Sequence, residues 1–146
     1  MLTTETKLSP EIIKSLDLWH DMVASGDMTR LPEIVAQDAV FRSPTVFRPF
    51  ESAPALIMAL ETVVTVFEDF AYHRAFAGDD AGSVVLEFSA RVGDKSLKGV
   101  DIVRFDKDGR IVDFEVMVRP LNALQALYAA MTEKLGPALA AYKGDG

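Results

Sequence analysis

The sequence predicts an α+β fold, in which several helices cover one side of a single antiparallel sheet. Two observations support this prediction. Apolar residues recur at helical spacing up to about residue 67, and from about residue 70 they alternate with a period of two. Turn-forming sequences then interrupt the alternating pattern at 78–82, 93–94 and 106–109. Because these connections are too short for a crossover helix, the four strands that they separate form an antiparallel meander.

Capping residues define the helices along the chain. Ser9 followed by a proline begins the first helix, which Gly26 ends. A short second helix is predicted over 29–36, and a third over 52–67, where a serine again precedes the apolar pattern. A further helix follows Pro120 and is expected to end at the Gly-Pro pair, residues 136–137.

Apolar residues on both alternating faces distinguish the last two predicted strands. The five strands are expected at 39–42, 70–77, 83–92, 96–105 and 110–119. In the last two, Val100, Ile102, Ile111 and Met117 alternate with a second apolar set that is expected to face the helices. Since helices cover only one face, we expect a second copy of the chain to cover the other, in a homodimer through the outer sheet face.

Composition restricts the class of protein further. The chain has 146 residues, which suits one domain, and no cysteine, which excludes thiol chemistry. Its net charge of −7 is the wrong sign for binding nucleic acid. The beginning of the sequence lacks a signal-peptide pattern and no apolar run is long enough to span a membrane, so we expect no membrane association and a cytoplasmic location. The acidic pair Asp79–Asp80 is interpreted as a turn, and neither a metal nor a cofactor is expected.

Three short segments, in this order and spacing, resemble one superfamily. They are Trp19–Asp27, Phe41–Pro44 (FRSP) and the strand-turn-strand segment Gly99–Phe114 (GVDIVRFDKDGRIVDF). They resemble the nuclear transport factor 2-like superfamily, and within it the SnoaL-like polyketide cyclases and the ketosteroid isomerases. The resemblance covers residues 10–119.

The resemblance implies a cystatin-like fold, a cone-shaped α+β barrel in which a strongly curved, mostly antiparallel sheet wraps around the long helix at 52–67. It also implies a pocket between the concave sheet face and the first helix. We therefore expect residues 1–146 to form a single SnoaL-like domain, with its core at 10–119. A C-terminal helical extension at 120–143 would cap the pocket mouth or extend the dimer.

The resemblance also suggests which residues carry chemistry. Asp101 matches the aspartic acid of the isomerases' oxyanion hole, Trp19 takes the place of their tyrosine, and Ser43 takes the place of their catalytic base. A neutral serine cannot remove a proton from carbon unaided. Val116 stands where the cyclases carry an acid/base aspartate. Asp101 is thus the candidate acid.

The base remains open among His20, His73 and a bound water, since histidine is the side chain that titrates near neutral pH. The expected ligand-binding residues form an apolar pocket: Trp19, Phe41, Ser43, Val103, Phe114, Val116 and Val118. Two functions fit this pocket. One is a cofactor-free isomerase, cyclase or hydratase acting on a small, hydrophobic, carbonyl-bearing ligand; the other is a non-catalytic ligand-binding or dimerisation module.

Overall fold

The computed structural model describes residues 8–140, and this range contains three α-helices, one short 3₁₀ helix and five strands. The elements in chain order are α1 (Pro10–Ser25), the 3₁₀ helix (Leu31–Ile34), β1 (Val35–Arg42), α2 (Ala53–Val66), β2 (Glu68–Ala77), β3 (Ser83–Val92), β4 (Lys95–Phe105), β5 (Ile111–Arg119) and α3 (Leu121–Ala140). The α+β fold is confirmed. None of the described helices is both long and apolar enough to cross a membrane.

The five strands form one mixed sheet in the order β1-β5-β4-β3-β2. The four strands from β2 to β5 pair as the predicted antiparallel meander. The first strand, β1, lies at the far edge and runs parallel to β5. This topology puts β4 at the centre, between β3 and β5, so a side chain on the inner face of β4 is surrounded by protein.

The prediction of a short helix over 29–36 is wrong for most of that range. Only Leu31–Ile34 is helical, as a single 3₁₀ turn, and β1 already begins at Val35. Pro32 suits the start of such a turn because its missing N–H is not needed there. Val35 then pairs with Ile111 on β5, and this tertiary pairing extends the strand.

The outward placement predicted for Ile111 is also wrong, since its side chain is 1% exposed in the core. Arg104 pairs with Asp113 whereas Phe105 pairs with Ile111, so β5 carries one extra residue at this point. This β-bulge turns Ile111 to the inner face. Of the apolar residues expected on the outer face, Val100 and Ile102 are half-buried and Met117 is 49% exposed.

The C-terminal helix continues past the point where the sequence predicts its end. It includes Pro137 and reaches Ala140. Proline has no N–H, so Pro137 removes one helical hydrogen bond. The loss is tolerated because only three more residues of the helix follow it. Residues 141–143 of the predicted extension lie outside the described residues.

Helix α1 is fixed to the sheet through the turn between β4 and β5. Ser9 caps the helix by accepting the N–H of Ile12 at 3.3 Å, as predicted. Farther along, Ser15 Oγ donates to the carbonyl of Gly109 at 2.6 Å. A Cβ at position 109 would lie 2.5 Å from the Glu11 carbonyl oxygen, so this approach requires glycine. The contact sets the position of α1, and with it that of Trp19.

Candidate active site

An apolar cavity of about 250 Å³ lies between the inner face of the sheet and the three α-helices. Helix α1 contributes Trp19 and Val23, while α2 and the sheet contribute most of the apolar wall. The described lining residues include one carboxyl group, that of Asp101, and no histidine, lysine or arginine. Among the described lining residues, Asp101 is therefore the one side chain that can exchange a proton with a ligand near neutral pH.

Asp101 is held on the inner face of β4 with its side chain 6% exposed. Its cross-strand neighbours are Leu86 on β3 and Val116 on β5, which offer the carboxyl group no polar partner. Burial raises the pKa of Asp101 to about 7, and a hydrogen bond from Tyr72 acts in the opposite direction. The carboxyl group is consequently protonated in a large fraction of molecules at neutral pH.

A chain of two hydrogen bonds links α1 to this carboxyl group. The indole Nε1–H of Trp19 donates to the Tyr72 hydroxyl at 2.9 Å, and that hydroxyl donates to Oδ2 of Asp101 at 2.6 Å. Burial, together with the charge of Asp101, raises the pKa of Tyr72 well above its usual value. The phenol therefore remains protonated and acts as a hydrogen-bond donor.

Aromatic packing fixes both donors of this chain. The Tyr72 ring makes edge-to-face contacts with Phe70 and His20, at centroid distances of 4.8 Å and 5.2 Å. The Trp19 ring packs edge-on against Phe114 at 5.4 Å. Such pairs hold ring positions as well as burying apolar area.

Tyr72 is the residue of this site that sequence reasoning missed. Its sequence signal is the alternation of Phe70 and Tyr72 along β2, which indicates only that both rings lie on one face of a strand. Asp101 lies 29 residues farther along the chain, and only the sheet pairing brings the two side chains together.

Glycine at position 99 allows an aromatic side chain to reach the cavity wall. A Cβ there would lie 2.5 Å from Cζ of Phe88 and 2.5 Å from the Met117 carbonyl oxygen. The Phe88 ring therefore lies over the backbone of β4, two residues before Asp101, and lines the cavity.

Ser43 lies in the cavity wall as a turn residue. Its Oγ accepts the backbone N–H of Thr45 at 3.1 Å and lies 3.0 Å from Oγ1 of the same residue. These contacts are typical of a serine turn, and they supply no charged group that could act as a base.

The structure brings neither predicted histidine into the cavity lining. His20 lies on the other side of the Tyr72 ring, in a surface cleft that also includes His73. The Nε2 atom of His20 is buried with no hydrogen-bond partner among the described residues, and burial lowers its pKa. His73 is exposed, and its Nε2 lies 2.7 Å from Ser89 Oγ.

The expected ligand-binding residues divide into two groups. Trp19, Phe41, Ser43, Phe114 and Val116 line the cavity. Val103 and Val118 do not: Val103 is 2% exposed within the main core, and Val118 packs against a second apolar cluster beside α3.

Helix α3 supplies one side of the cavity. Its contribution comes from one helix face: Leu127, Tyr128, Met131, Thr132, Leu135 and Gly136. Tyr128 and Thr132 are the two residues on this face that carry a hydroxyl group, and the other four are apolar. Among the described residues, no group of three or more histidine, aspartate or glutamate side chains is placed to hold a metal ion.

This fold is the cystatin-like, NTF2-like fold of several solved structures. A family profile described as a SnoaL-like domain matches residues 16–114, which is most of the chain. The chain belongs to the SnoaL-like domain family.

Solved structures similar to this chain include one with a stated activity. A steroid delta-isomerase from Pseudomonas aeruginosa is 55% identical, with a TM-score of 0.87 over 91% of this chain and 97% of that one. An uncharacterised protein with a cystatin-like fold from Silicibacter pomeroyi is 28% identical, with a TM-score of 0.79 over 88% of this chain and 91% of that one.

An NTF2-like protein of unknown function from Mesorhizobium loti shares the fold at 20% identity, with a TM-score of 0.65 over 82% of this chain and 98% of that one. A search of curated proteins found no match.

Proposed function

We propose that this protein is a cofactor-free isomerase that binds a small apolar ketone in the cavity and uses Asp101 as its acid. The observation that carries the proposal is a buried carboxyl group with a pKa of about 7, which is the only one among the described lining residues. The 55% identity to a protein named steroid delta-isomerase supports a polycyclic ketone as the substrate class.

In this proposal, protonated Asp101 donates a hydrogen bond to the carbonyl oxygen of the ligand. The bond becomes stronger as negative charge develops on that oxygen, so it favours the enol-like intermediate over the ketone. A proton leaves the carbon between the carbonyl group and a double bond, and a proton returns to the far carbon of the former double bond. The double bond moves into conjugation, with no net change in protons or electrons.

The base in this mechanism is assigned to a water molecule that occupies the cavity with the ligand. Three observations support the assignment: His20 and His73 lie outside the cavity lining, Ser43 is neutral, and the described lining offers no second carboxyl group. The apolar wall excludes bulk water, and hydroxyl-bearing lining residues such as Thr45 and Thr132 offer polar partners for one such molecule.

The test is an absorbance assay for conversion of a β,γ-unsaturated steroid ketone into its conjugated isomer. We expect turnover whose kcat/KM is constant below about pH 7 and falls above it, because ionised Asp101 cannot donate. Asp101→Ala, which has no hydrogen-bond donor, should lose activity by roughly 10²-fold or more. Asp113→Ala is the matched control, since Asp113 pairs with Arg42 on the outer face of the sheet. Full activity in Asp101→Ala, or a rate that rises through pH 7, would contradict the acid role.

A binding module without turnover is the second candidate, and the absence of a charged base at Ser43 favours it. A saturated polycyclic ketone tests binding alone, because it has no double bond to move. Tight binding of this ketone together with no conversion of unsaturated ketones would establish the binding module in place of the isomerase.

We also propose that a second copy of the chain covers the outer face of the sheet. Half-buried Val100 and Ile102 lie there with Met117, which is 49% exposed, and paired charges such as Arg42–Asp113 surround them. A central apolar patch with a polar rim is typical of protein interfaces.

Sedimentation velocity at micromolar concentration tests the dimer. We expect a dimer that Met117→Lys weakens, because the substitution puts a charge in the centre of the apolar patch. Phe47→Lys is the control, as Phe47 is fully exposed in a loop. A monomer in the unsubstituted protein would overturn the proposal.

A further inference from the structure

We propose that Trp19 and Tyr72 form a relay, meaning a chain of two hydrogen bonds in which each group donates toward Asp101. In this relay Oδ2 of Asp101 accepts from Tyr72, and Oδ1 is left to bond the ligand. In this arrangement Tyr72 is a positioning residue for Asp101, and Trp19 is a positioning residue for Tyr72. The inference depends on the proposed function only for the identity of the ligand group that Oδ1 meets.

The direction of the relay follows from the chemistry of the indole ring. An indole N–H can only donate, so at 2.9 Å the Tyr72 oxygen must be its acceptor. The single phenolic hydrogen is then free to point elsewhere, and Oδ2 of Asp101 lies 2.6 Å away. A histidine or glutamine side chain in the place of Trp19 could also accept, and would leave the direction undetermined.

The direction of the relay determines which carboxyl oxygen carries a proton. Oδ2 accepts the Tyr72 hydrogen, and in a neutral carboxyl group the carbonyl oxygen is a better acceptor than the hydroxyl oxygen, so this hydrogen bond favours Oδ2 as the carbonyl oxygen. In the neutral acid the proton therefore resides on Oδ1. No hydrogen bond joins Oδ1 to a residue within 8–140, and Asp101 lines the cavity, so this proton is available to a ligand.

The relay also affects how readily Asp101 ionises. The Tyr72 hydrogen bond favours the charged carboxylate and lowers its pKa, against the larger effect of burial. Donation from Trp19 lowers the pKa of Tyr72, which makes the phenol a stronger donor. Tyr72, supported by Trp19, thus keeps the pKa of Asp101 nearer to neutral than burial alone would.

The test measures the pKa of Asp101 directly in the ligand-free protein, by ¹³C NMR of aspartate labelled at the carboxyl carbon. The Asp101→Asn spectrum assigns the resonance. In Tyr72→Phe we expect the pKa to rise by roughly one to two units, because a hydrogen bond to a charged group is worth about 1.5–3 kcal/mol. In Trp19→Phe we expect a smaller rise, of roughly half a unit.

Two comparisons separate a relay from a general loosening of the site. In the double variant Trp19→Phe/Tyr72→Phe, the Trp19 substitution should add no further shift, because Trp19 acts only through Tyr72. Tyr128→Phe removes a different hydroxyl group from a cavity-lining residue and should leave the Asp101 pKa unchanged. If Tyr72→Phe fails to fold, incorporation of 3-fluorotyrosine replaces it as the test, and the more acidic phenol should lower the Asp101 pKa.

An Asp101 pKa that is unchanged or lower in Tyr72→Phe, or unchanged with fluorotyrosine, would overturn the relay. Additive effects in the double variant would overturn the role of Trp19. These results are independent of the proposed function, which fails if Asp101→Ala remains fully active. If turnover is observed, the alkaline limb of kcat/KM should move upward in Tyr72→Phe by the same amount as the measured pKa.

Discussion

Two acids with little exposed surface, on adjacent strands, illustrate how cationic partners and burial move the pKa of a carboxyl group in opposite directions. Glu87, on β3, is 7% exposed, and it receives hydrogen bonds from Arg74 at 2.7 Å and Lys98 at 2.9 Å. These bonds hold its pKa well below the usual value. Asp101, on β4, is 6% exposed and receives one hydrogen bond, from a neutral phenol, so burial raises its pKa. Glu87 is thus a structural ion pair, whereas Asp101 retains a proton to exchange.

The raised pKa of Asp101 predicts a pH-dependent stability. The unfolded carboxyl group ionises near its ordinary pKa of 3.8 and the folded one near 7, so the folded state binds more protons between these values. The contribution of Asp101 to the free energy of unfolding therefore falls as pH rises through this window, by roughly 4 kcal/mol in total.

Asp101→Asn should abolish this contribution, because an amide does not ionise. Urea unfolding at about pH 5 and pH 8 measures the free energy of unfolding of both proteins. The protein with Asp101 should lose more stability than the variant as the pH rises, and Asp113→Asn serves as the control. The same pH dependence in both proteins would mean that Asp101 does not titrate in this window.

Helix α3 lies wholly beyond the matched family segment, which ends at residue 114. It contributes side chains to an apolar cluster and to the cavity wall. One face of the helix packs against α2 and the sheet through Ala123 and Leu127, both nearly fully buried, and continues into the cavity wall. Leu121, in the first turn of the helix, is 69% exposed. The helix thus contributes both to the packing of the fold and to the wall of the cavity.

Two leucines on α3 provide a matched test of this packing. Leu127→Ala should lower the free energy of unfolding by roughly 2–4 kcal/mol, because it removes a side chain that is 3% exposed and leaves a cavity. Leu121→Ala should change it by less than about 0.5 kcal/mol. Thermal and urea unfolding measure both variants, and equal effects would show that α3 does not dock as described.

For the whole molecule, the cavity lies beside two apolar clusters, one formed largely by α1, α2 and the sheet and the other by α3 and the far end of β3 and β4. Val63, Tyr72 and Val116 contact both clusters, and all three line the cavity. A ligand in the cavity would therefore contact side chains that join the two clusters, and its binding energy would stabilise the whole fold.

A saturated polycyclic ketone at about 100 times its Kd should raise the free energy of unfolding by about 2.7 kcal/mol, or Tm by roughly 6–10 °C. The ketone oxygen only accepts hydrogen bonds, so its affinity should fall above about pH 7 as Asp101 ionises. The corresponding hydrocarbon is the control and should show no such fall. An equal pH response of the two ligands would mean that the carbonyl group does not meet Asp101.

Sequence reasoning succeeded wherever the physical cause is local in the chain. The cap at Ser9, the end of the first helix at Gly26 and the three turns of the meander were correctly predicted because neighbouring residues alone determine them. It failed at Val35, where parallel pairing with β5 extends a strand, and at Ile111, where a bulge reverses a face. Both failures depend on a partner strand that is distant in sequence.

The sequence by itself determined the fold class and the meander, because periodicity and turn chemistry are properties of adjacent residues. Its resemblance to the ketosteroid isomerases is what suggested Asp101 as the candidate acid. Only the tertiary structure decided that Tyr72 donates to Asp101, that His20 and His73 lie outside the cavity lining, and that α3 forms one of its sides. The physical reason is that a hydrogen bond or a burial depends on distance in space, and strand pairing and helix docking set that distance for residues far apart in the chain.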